Sequence, residues 1–199
     1  MHISHWLYPV HVLGPGSRLV LWTQGCSRHC KGCVSPEFRP SGGTDYPVEE
    51  LSKELNTILR RDALQGVTIS GGEPFEQAED LFALCHSLAC DDILVYSGWT
   101  YTEICRQFSM ELPHSGIGVL ITGPYVEELN DNLPLRGSSN QEIVFLRPDL
   151  RAAYDQYLQT GSREQELFVS TDHVYLAGIP EKGTAEAIQQ EIEKILQEE

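Results

Sequence analysis

Apolar residues along the chain fall into two kinds of run. Short continuous runs, bounded by glycines and polar residues, predict buried strands. Other segments place apolar residues three and four positions apart, as Leu51, Leu55 and Ile58 do, and predict amphipathic helices. Strands are predicted at residues 18–23, 66–70, 92–96, 117–121 and 143–146, and helices at residues 47–59, 77–89 and 101–108.

Strands that alternate with helices of this length are typical of βαβ units, in which right-handed crossovers bring successive strands side by side. We therefore expect an α/β fold for residues 1–146, in which parallel βα units form an incomplete, TIM-like barrel. Ligand sites in such folds lie at the carboxyl ends of the strands. The loops after the predicted strands are therefore the places to look for chemistry.

The chain changes character after residue 146. A helix is predicted at residues 149–159, two short strands at residues 166–170 and 173–177, and a final amphipathic helix at residues 184–196. Residues 147–199 are expected to form a small C-terminal ββα-like extension, to which the sequence assigns no role.

The charge of the chain is strongly acidic but uneven. The 199 residues contain 14 basic and 29 acidic side chains, a net charge of −15. Residues 1–61 have a net charge of +2, whereas residues 62–199 have a net charge of −17. Nucleic acids and anionic membranes select basic surfaces, so we expect neither as a partner.

The apolar segments are too short for a membrane helix, which needs about 18 apolar residues. The amino end lacks the basic region of a secretory signal, and His5, Pro9 and His11 interrupt its apolar residues. We therefore expect a cytoplasmic protein whose six cysteines stay reduced. Cysteines that lie close together in such a protein point to metal or redox chemistry.

Three of the six cysteines lie in the loop after the first predicted strand, with three and then two residues between them: Cys26, Cys30 and Cys33. Thiolates bind iron–sulfur clusters and zinc. Structural zinc usually has four ligands, so zinc here would need a distant fourth. A [4Fe–4S] cluster on three cysteines leaves one iron open to a small molecule, and we favour it. Of the other three cysteines, Cys85 lies on an apolar helix face and is predicted to be a core residue, whereas Cys90 and Cys105 are predicted to be isolated thiols.

A second motif, Ser70-Gly-Gly-Glu-Pro74, follows the second predicted strand. Paired glycines at the end of a strand let the backbone turn sharply and approach a ligand. Glu73 adds a carboxylate that suits a cationic amine. The motif therefore predicts a ligand contact at the same edge of the sheet as the cysteines.

Together the two motifs resemble those of the radical S-adenosylmethionine superfamily. Its cysteine spacing matches Cys26, Cys30 and Cys33, and its GGEP motif matches residues 71–74. The resemblance implies that the open iron binds the amino and carboxylate groups of S-adenosylmethionine. It also implies that reduction yields a 5′-deoxyadenosyl radical, which abstracts hydrogen from a substrate. The residues that would hold the cofactor are Gly71, Gly72, Glu73 and Pro74.

Further stretches are similar to the activating proteins of anaerobic ribonucleotide reductase: residues 21–26, 96–100, 123–125 and 135–141. The resemblance covers about residues 6–146. It implies that the substrate is a glycine in a partner glycyl radical enzyme, with a flavodoxin- or ferredoxin-like electron donor. At a predicted strand end, Ser97 and Gly98 are expected to contact the cofactor. Arg136 is expected to bind a carboxylate or to be a surface arginine in a polar loop.

The chain also departs from that family, which usually has aspartates at the positions of Gly118 and Thr122. The residues after 146 are extra as well. Both features leave open a stand-alone radical enzyme that modifies a small molecule, nucleotide precursor or peptide. A third hypothesis is a non-catalytic iron–sulfur or zinc protein, against which the GGEP motif argues.

Overall fold

A central sheet, four α-helices and a hairpin make up the part of the chain that the computed structural model describes, residues 1–161, 163–171 and 173–181. The strands are β1 (His2–Val10), β2 (Arg18–Thr23), β3 (Thr44–Asp45), β4 (Gly66–Gly71), β5 (Ile93–Ser97), β6 (Val119–Thr122), β7 (Glu142–Phe145), β8 (Gln165–Val169) and β9 (Val174–Gly178). The helices are α1 (Val48–Arg61), α2 (Ala78–Ser87), α3 (Tyr101–Phe108) and α4 (Arg151–Thr160).

Seven strands form the central sheet, in the order β3-β1-β2-β4-β5-β6-β7. Strands β2, β4, β5 and β6 are parallel, and α1, α2 and α3 each connect one of them to the next. Strands β1 and β7 pair antiparallel with the two ends of this group. The predicted parallel βα units are therefore confirmed, within a mixed α/β sheet. The described pairings form an open row of strands, and they do not confirm an incomplete barrel.

Strand β1 is the main element that the sequence pattern did not predict. His5 and Pro9 interrupt its apolar residues, and most of its side chains are only half-buried. Its neighbours in the sheet are β2 and the two-residue β3, so its position is close to an edge. A strand in that position can form without the continuous apolar run that marks a central parallel strand.

Both faces of the central strands are covered. On β2, Leu19 and Leu21 point to one face and Val20 and Trp22 to the other, because successive side chains of a strand alternate. The first face packs on α1, α2 and α3, through residues such as Leu51, Leu84 and Ile104. The second face packs on β9 and α4, through Ala177 and Tyr154. Burial on both faces explains why these strands are nearly continuous apolar runs.

Described residues after 146, in α4 and β9, pack on this second face. Tyr154 of α4 is fully buried and its hydroxyl donates to Asp92 Oδ1 at 2.7 Å, next to the buried ion pair between Arg18 and Asp92. The predicted helix and both predicted strands are confirmed as α4, β8 and β9. The helix predicted at residues 184–196 lies outside the described residues, and the domain boundary at residue 146 stays a prediction. No helix in the described ranges is long and apolar enough to cross a membrane.

Candidate functional site

The loops after β2, β4, β5 and β6 meet at one edge of the sheet, where parallel strands end. They enclose a cavity of about 180 Å³, called here the site cavity. These loops contribute Cys26, Arg28, Cys30, Cys33, Gly71, Gly72, Glu73, Ser97, Gly98 and Gly123 to its lining. The structure thus brings together the three predicted cysteines and five of the predicted cofactor-binding residues.

Hydrogen bonds fix the start of the cysteine loop (residues 24–35), and a glycine allows a turn further along it. The Gly25 amide donates to Phe38 O at 2.8 Å, and the Ser27 amide and hydroxyl both donate to Glu76 Oε1 at 2.8 and 2.6 Å. Gly32 has a φ of +71°, in the left-handed region that suits glycine, and lets the loop turn between the second and third cysteine. The loop therefore turns so that all three thiols line the site cavity.

The three thiols suit an iron–sulfur cluster better than a single metal ion. All three are unpaired and partly exposed, and burial raises the pKa of the Cys26 and Cys33 thiols. Among the described residues, no three His, Cys, Asp or Glu side chains converge closely enough to hold one metal ion. In a [4Fe–4S] cluster each cysteine binds a different iron, and three cysteines that line one cavity supply that donor set. A closed zinc site would need a fourth ligand.

The glycine turn (Gly71–Glu73) runs directly against the start of the cysteine loop. The Gly72 amide donates to Thr23 O at 2.8 Å, and the Glu73 amide donates to Gly25 O at 2.9 Å. A Cβ on Gly72 would lie 2.1 Å from Gly25 O, so only glycine allows this approach. The two sequence motifs therefore form one continuous backbone surface beside the thiols.

Glu73 is buried and makes more contacts than the sequence suggested. Its side chain accepts hydrogen bonds from the Ser97 hydroxyl at 2.8 Å, the Gly98 amide at 2.7 Å and the Phe75 amide at 3.1 Å. Only 1% of the residue is exposed, and this burial raises the pKa of its carboxyl to about 7. Glu73 thus joins the glycine turn to the end of β5 and still borders the site cavity.

Arg28 is a site residue that the sequence analysis did not single out. Its side chain lines the site cavity and packs so closely on Gly98 that a Cβ there would lie 2.7 Å from Arg28 Cδ. Its Nε is buried and has no hydrogen-bond partner, and its Nη2 is 3.6 Å from Glu103. A buried, unsatisfied donor is costly, which makes Arg28 a candidate to bind an anionic group. Its place between two cysteines was the signal in the sequence.

Two predicted residues are not among those that line the site cavity. Arg136 forms an ion pair with Asp131 at 2.9 Å in a polar loop. Pro74 is buried and begins a short 3₁₀ turn that leads into α2. A role of either residue in binding the cofactor stays a prediction.

The positions at which the chain departs from the family lie at opposite ends of β6. Gly118 precedes the strand, and a Cβ there would lie 2.5 Å from Leu150 Cδ1. Thr122 ends the strand beside Ser97, is buried, and has a hydroxyl without a hydrogen-bond partner. Only Thr122 is therefore next to the site, whereas the glycine at 118 accommodates packing from the residues after 146.

The other three cysteines line a second cavity, of about 550 Å³, at the opposite edge of the sheet. This second cavity lies where β5 and β6 begin, and it is bordered by Cys85, Cys90 and Cys105 together with Asp91, Ile117 and Arg147. Cys85 is fully buried in α2, in agreement with the prediction that it is a core residue. The structure therefore separates the six thiols into two groups of three.

Comparisons with known proteins give a family model and several named relatives. A family model described as a 4Fe-4S single cluster domain matches residues 12–144. The anaerobic ribonucleoside-triphosphate reductase-activating protein of Salmonella typhi is 34% identical over 156 residues, which cover 72% of this chain and 98% of that protein. The proteins of the same name from Escherichia coli (strain K12) and Enterobacteria phage T4 are 32% and 30% identical, cover 72% and 69% of this chain, and are themselves covered to 98% and 90%.

Proposed function

The chain belongs to the family of anaerobic ribonucleoside-triphosphate reductase-activating proteins, and from that premise we propose that it is a radical S-adenosylmethionine enzyme. Its substrate would be a glycine in a partner reductase of the glycyl radical type. The observation that carries the proposal is the contact between the glycine turn and the cysteine loop, which gives three thiols and a glycine-lined backbone one shared cavity.

In this proposal Cys26, Cys30 and Cys33 hold a [4Fe–4S] cluster. A bound cluster would supply one electron that splits S-adenosylmethionine into methionine and a 5′-deoxyadenosyl radical, which takes a hydrogen atom from the glycine Cα. The protein's own task is to hold these groups in position and to keep water away from them. The reduced thiols that cluster assembly needs favour a cytoplasmic location.

The residues around the thiols would bind the amine and the carboxylate of the methionine group. Gly71 and Gly72 line the site cavity and present main-chain atoms to the amine. Glu73 supplies a carboxyl group beside that position, and it fixes Ser97 and Gly98 through hydrogen bonds. Arg28 offers its unpaired Nε–H to the carboxylate. Each of these roles follows from a contact or an unsatisfied group in the site cavity.

The electron donor would be a flavodoxin- or ferredoxin-like protein that approaches the exposed part of the cysteine loop. The charge there is more balanced than the sequence suggested, because Lys31 pairs with Glu128 at 3.1 Å and with Glu127 at 3.8 Å. We therefore assign donor recognition to the loop itself and not to a strongly basic patch.

The test is to mix the iron-reconstituted full chain with reductant, S-adenosylmethionine and the anaerobic ribonucleoside-triphosphate reductase of the same organism. The proposal predicts 5′-deoxyadenosine and a glycyl radical doublet in the electron paramagnetic resonance spectrum of the reductase. Cys30→Ala should abolish both products, whereas Cys105→Ala in the second cavity should retain both. Absence of a doublet from a reductase that a known activating protein does activate would contradict the proposal.

A second candidate function is a radical enzyme that modifies a small molecule, nucleotide precursor or peptide. Thr122 favours it, because a neutral, unpaired hydroxyl stands where the family usually has an acid. In that case a metabolite, and not the reductase, would stimulate formation of 5′-deoxyadenosine. A third, non-catalytic function would be supported by a chain that binds S-adenosylmethionine and never cleaves it when reduced.

A further inference from the structure

We propose that Gly178, which ends β9, and the adjacent Ile179 form a wall of the site cavity that selects the partner segment admitted to it, and that Arg163 holds this wall in place. The inference rests on the proposed function, because it concerns the protein substrate of the same site. Ile179 is assigned the role of a specificity residue, and Arg163 that of a positioning residue. Both lie in the C-terminal extension, to which the sequence assigned no role.

The guanidinium of Arg163 joins two parts of the cavity wall. Its Nε donates to Ile179 O at 3.0 Å, and its Nη2 lies 3.4 Å from Gly137 O. Gly137 and Ile179 both line the site cavity. The remaining partners of the guanidinium are in the loop before Gly137: Asn130 Oδ1, Asn132 Oδ1 and Arg136 O. One side chain therefore fixes the extension to a loop after β6.

One face of the β8–β9 hairpin packs on β1 and β2, the strands that precede the cysteine loop. Ala177 is fully buried in the same apolar cluster as Val20 and Trp22 of β2. The Tyr175 and His5 rings pack with centroids 4.6 Å apart. Such contacts make the hairpin part of the site's framework, so that the position of Ile179 is tied to that of the thiols.

The wall lies outside the range of the chain that the family model matches. That model ends at residue 144, and the match to the Salmonella typhi relative covers 72% of this chain and 98% of that protein. Arg163, Gly178 and Ile179 are therefore not part of the range that defines the family, and we assign them a role in restricting the substrate of this chain.

The chemistry of the wall suits an extended polypeptide with small side chains around a glycine. Three neighbouring lining positions are Gly123, Gly137 and Gly178, which present backbone and leave no side chain to displace. Gly178 has a φ of +124°, and a Cβ there would lie 2.8 Å from Glu164 O. Ile179 follows Gly178 and lines the same cavity, so its volume contributes to the width available to the entering segment.

The first test changes the width of the wall. Ile179→Trp should raise the KM for the reductase at least about tenfold, whereas Ile179→Ala should allow radical formation on a reductase whose glycine loop carries bulkier neighbours. A role toward the partner segment predicts that the KM for the reductase changes by a larger factor than the dissociation constant for S-adenosylmethionine. Val174→Ala, at an exposed position of β9, is the matched control and should change neither constant. An unchanged KM in Ile179→Trp would overturn the proposal.

A second test does not depend on the proposed function. In the metal-free full chain, the rate at which a bulky maleimide labels Cys26, Cys30 and Cys33 reports how open the cavity is. Arg163→Ala and Ile179→Ala should raise this rate several-fold, Arg163→Lys should raise it less, and Val174→Ala should leave it unchanged. Circular dichroism identifies any variant that fails to fold. Unchanged labelling in folded Arg163→Ala and Ile179→Ala would refute the wall. Increased labelling in a chain that activates no reductase would refute the proposed function alone.

Discussion

Two cavities of this protein are each lined by three cysteines, and their surroundings differ in almost every other respect. The site cavity lies at the carboxyl ends of parallel strands and its thiols come from one loop. The second cavity lies at the opposite edge, and its thiols come from α2, the segment after α2, and α3. The number of cysteines alone therefore does not show which of the two cavities is the candidate cluster site.

The difference lies in what the neighbouring groups leave unsatisfied. In the second cavity Arg147 already pairs with Asp91 at 2.7 Å and with Asp149 at 2.8 Å. Burial raises the pKa of the Cys85 thiol far above its usual value, so Cys85 behaves as a small apolar residue. In the site cavity the Arg28 Nε has no partner. Unused donors beside half-exposed thiols thus distinguish a binding site from a cavity between helices.

The largest difference between the two cavities is expected in iron binding. Cys30→Ala should prevent cluster assembly, because a thiolate supplies the bond to one of the irons. Cys105→Ala should leave the iron and sulfide content of the reconstituted chain at the wild-type level. Iron analysis and visible absorption measure both. Equal loss of iron in the two variants would remove the distinction between the cavities.

The next largest effect concerns backbone space. Gly72→Ala should lower the free energy of unfolding by about 3 kcal/mol, because its Cβ would lie 2.1 Å from Gly25 O. Gly116→Ala beside the second cavity is the matched control, because its Cβ would lie 2.7 Å from Cys85 O. Urea denaturation should show that both variants are destabilised. Only Gly72→Ala should also lose its cluster faster to a chelator, and equal rates of loss would contradict the account.

Glu73 should make stability depend on pH. Its pKa is raised from 4.5 to about 7 in the folded chain, so the folded state binds the proton more tightly than the unfolded state. The free energy of unfolding should therefore fall by up to about 3 kcal/mol as the pH rises from 4.5 to 7. Glu73→Gln should remove most of this slope, whereas Glu111→Gln, which changes an exposed carboxylate, should retain it. A slope in Glu73→Gln equal to that of the wild type would show that another group is responsible.

The smallest effect concerns ligand affinity. Arg28→Ala should weaken binding of S-adenosylmethionine about tenfold, because one charge-assisted hydrogen bond is lost. Binding of 5′-methylthioadenosine, which lacks the carboxylate, should not change. Calorimetry on the cluster-loaded chain measures both constants. If the two ligands lose affinity equally, Arg28 has no specific role toward the carboxylate.

The sequence predicted those parts of the fold that are decided by local pattern. Strands β2 and β4 to β6 were found because burial on both faces demands continuous apolar residues. Strand β1 was missed because a strand close to the edge of the sheet can form without a continuous run of apolar residues. The two motifs were found because thiol spacing and paired glycines carry their chemistry in adjacent residues. Their contact in space was inferred only from the rule that parallel strands end at one edge.

Long-range contacts explain what the sequence could not show. Arg163 and Ile179 reach the site from a hairpin more than a hundred residues away from the cysteine loop. The burial of Glu73 depends on hydrogen bonds from Ser97 and Gly98, and the pairing of Arg136 depends on Asp131. None of these contacts leaves a periodic or spacing signal in one sequence. They were therefore accessible only from the structure.

The central claim is that the cysteine loop and the glycine turn form a single site. Its most direct test is the electron paramagnetic resonance spectrum of the reduced, iron-loaded full chain, recorded before and after addition of S-adenosylmethionine. We predict that the ligand shifts the cluster signal in the wild type and in Cys105→Ala, because the three thiols line the same cavity as Gly71 and Gly72 and an open iron of a cluster bound there would face that cavity. A fully loaded and reduced wild-type chain whose signal does not change with saturating S-adenosylmethionine would contradict the account.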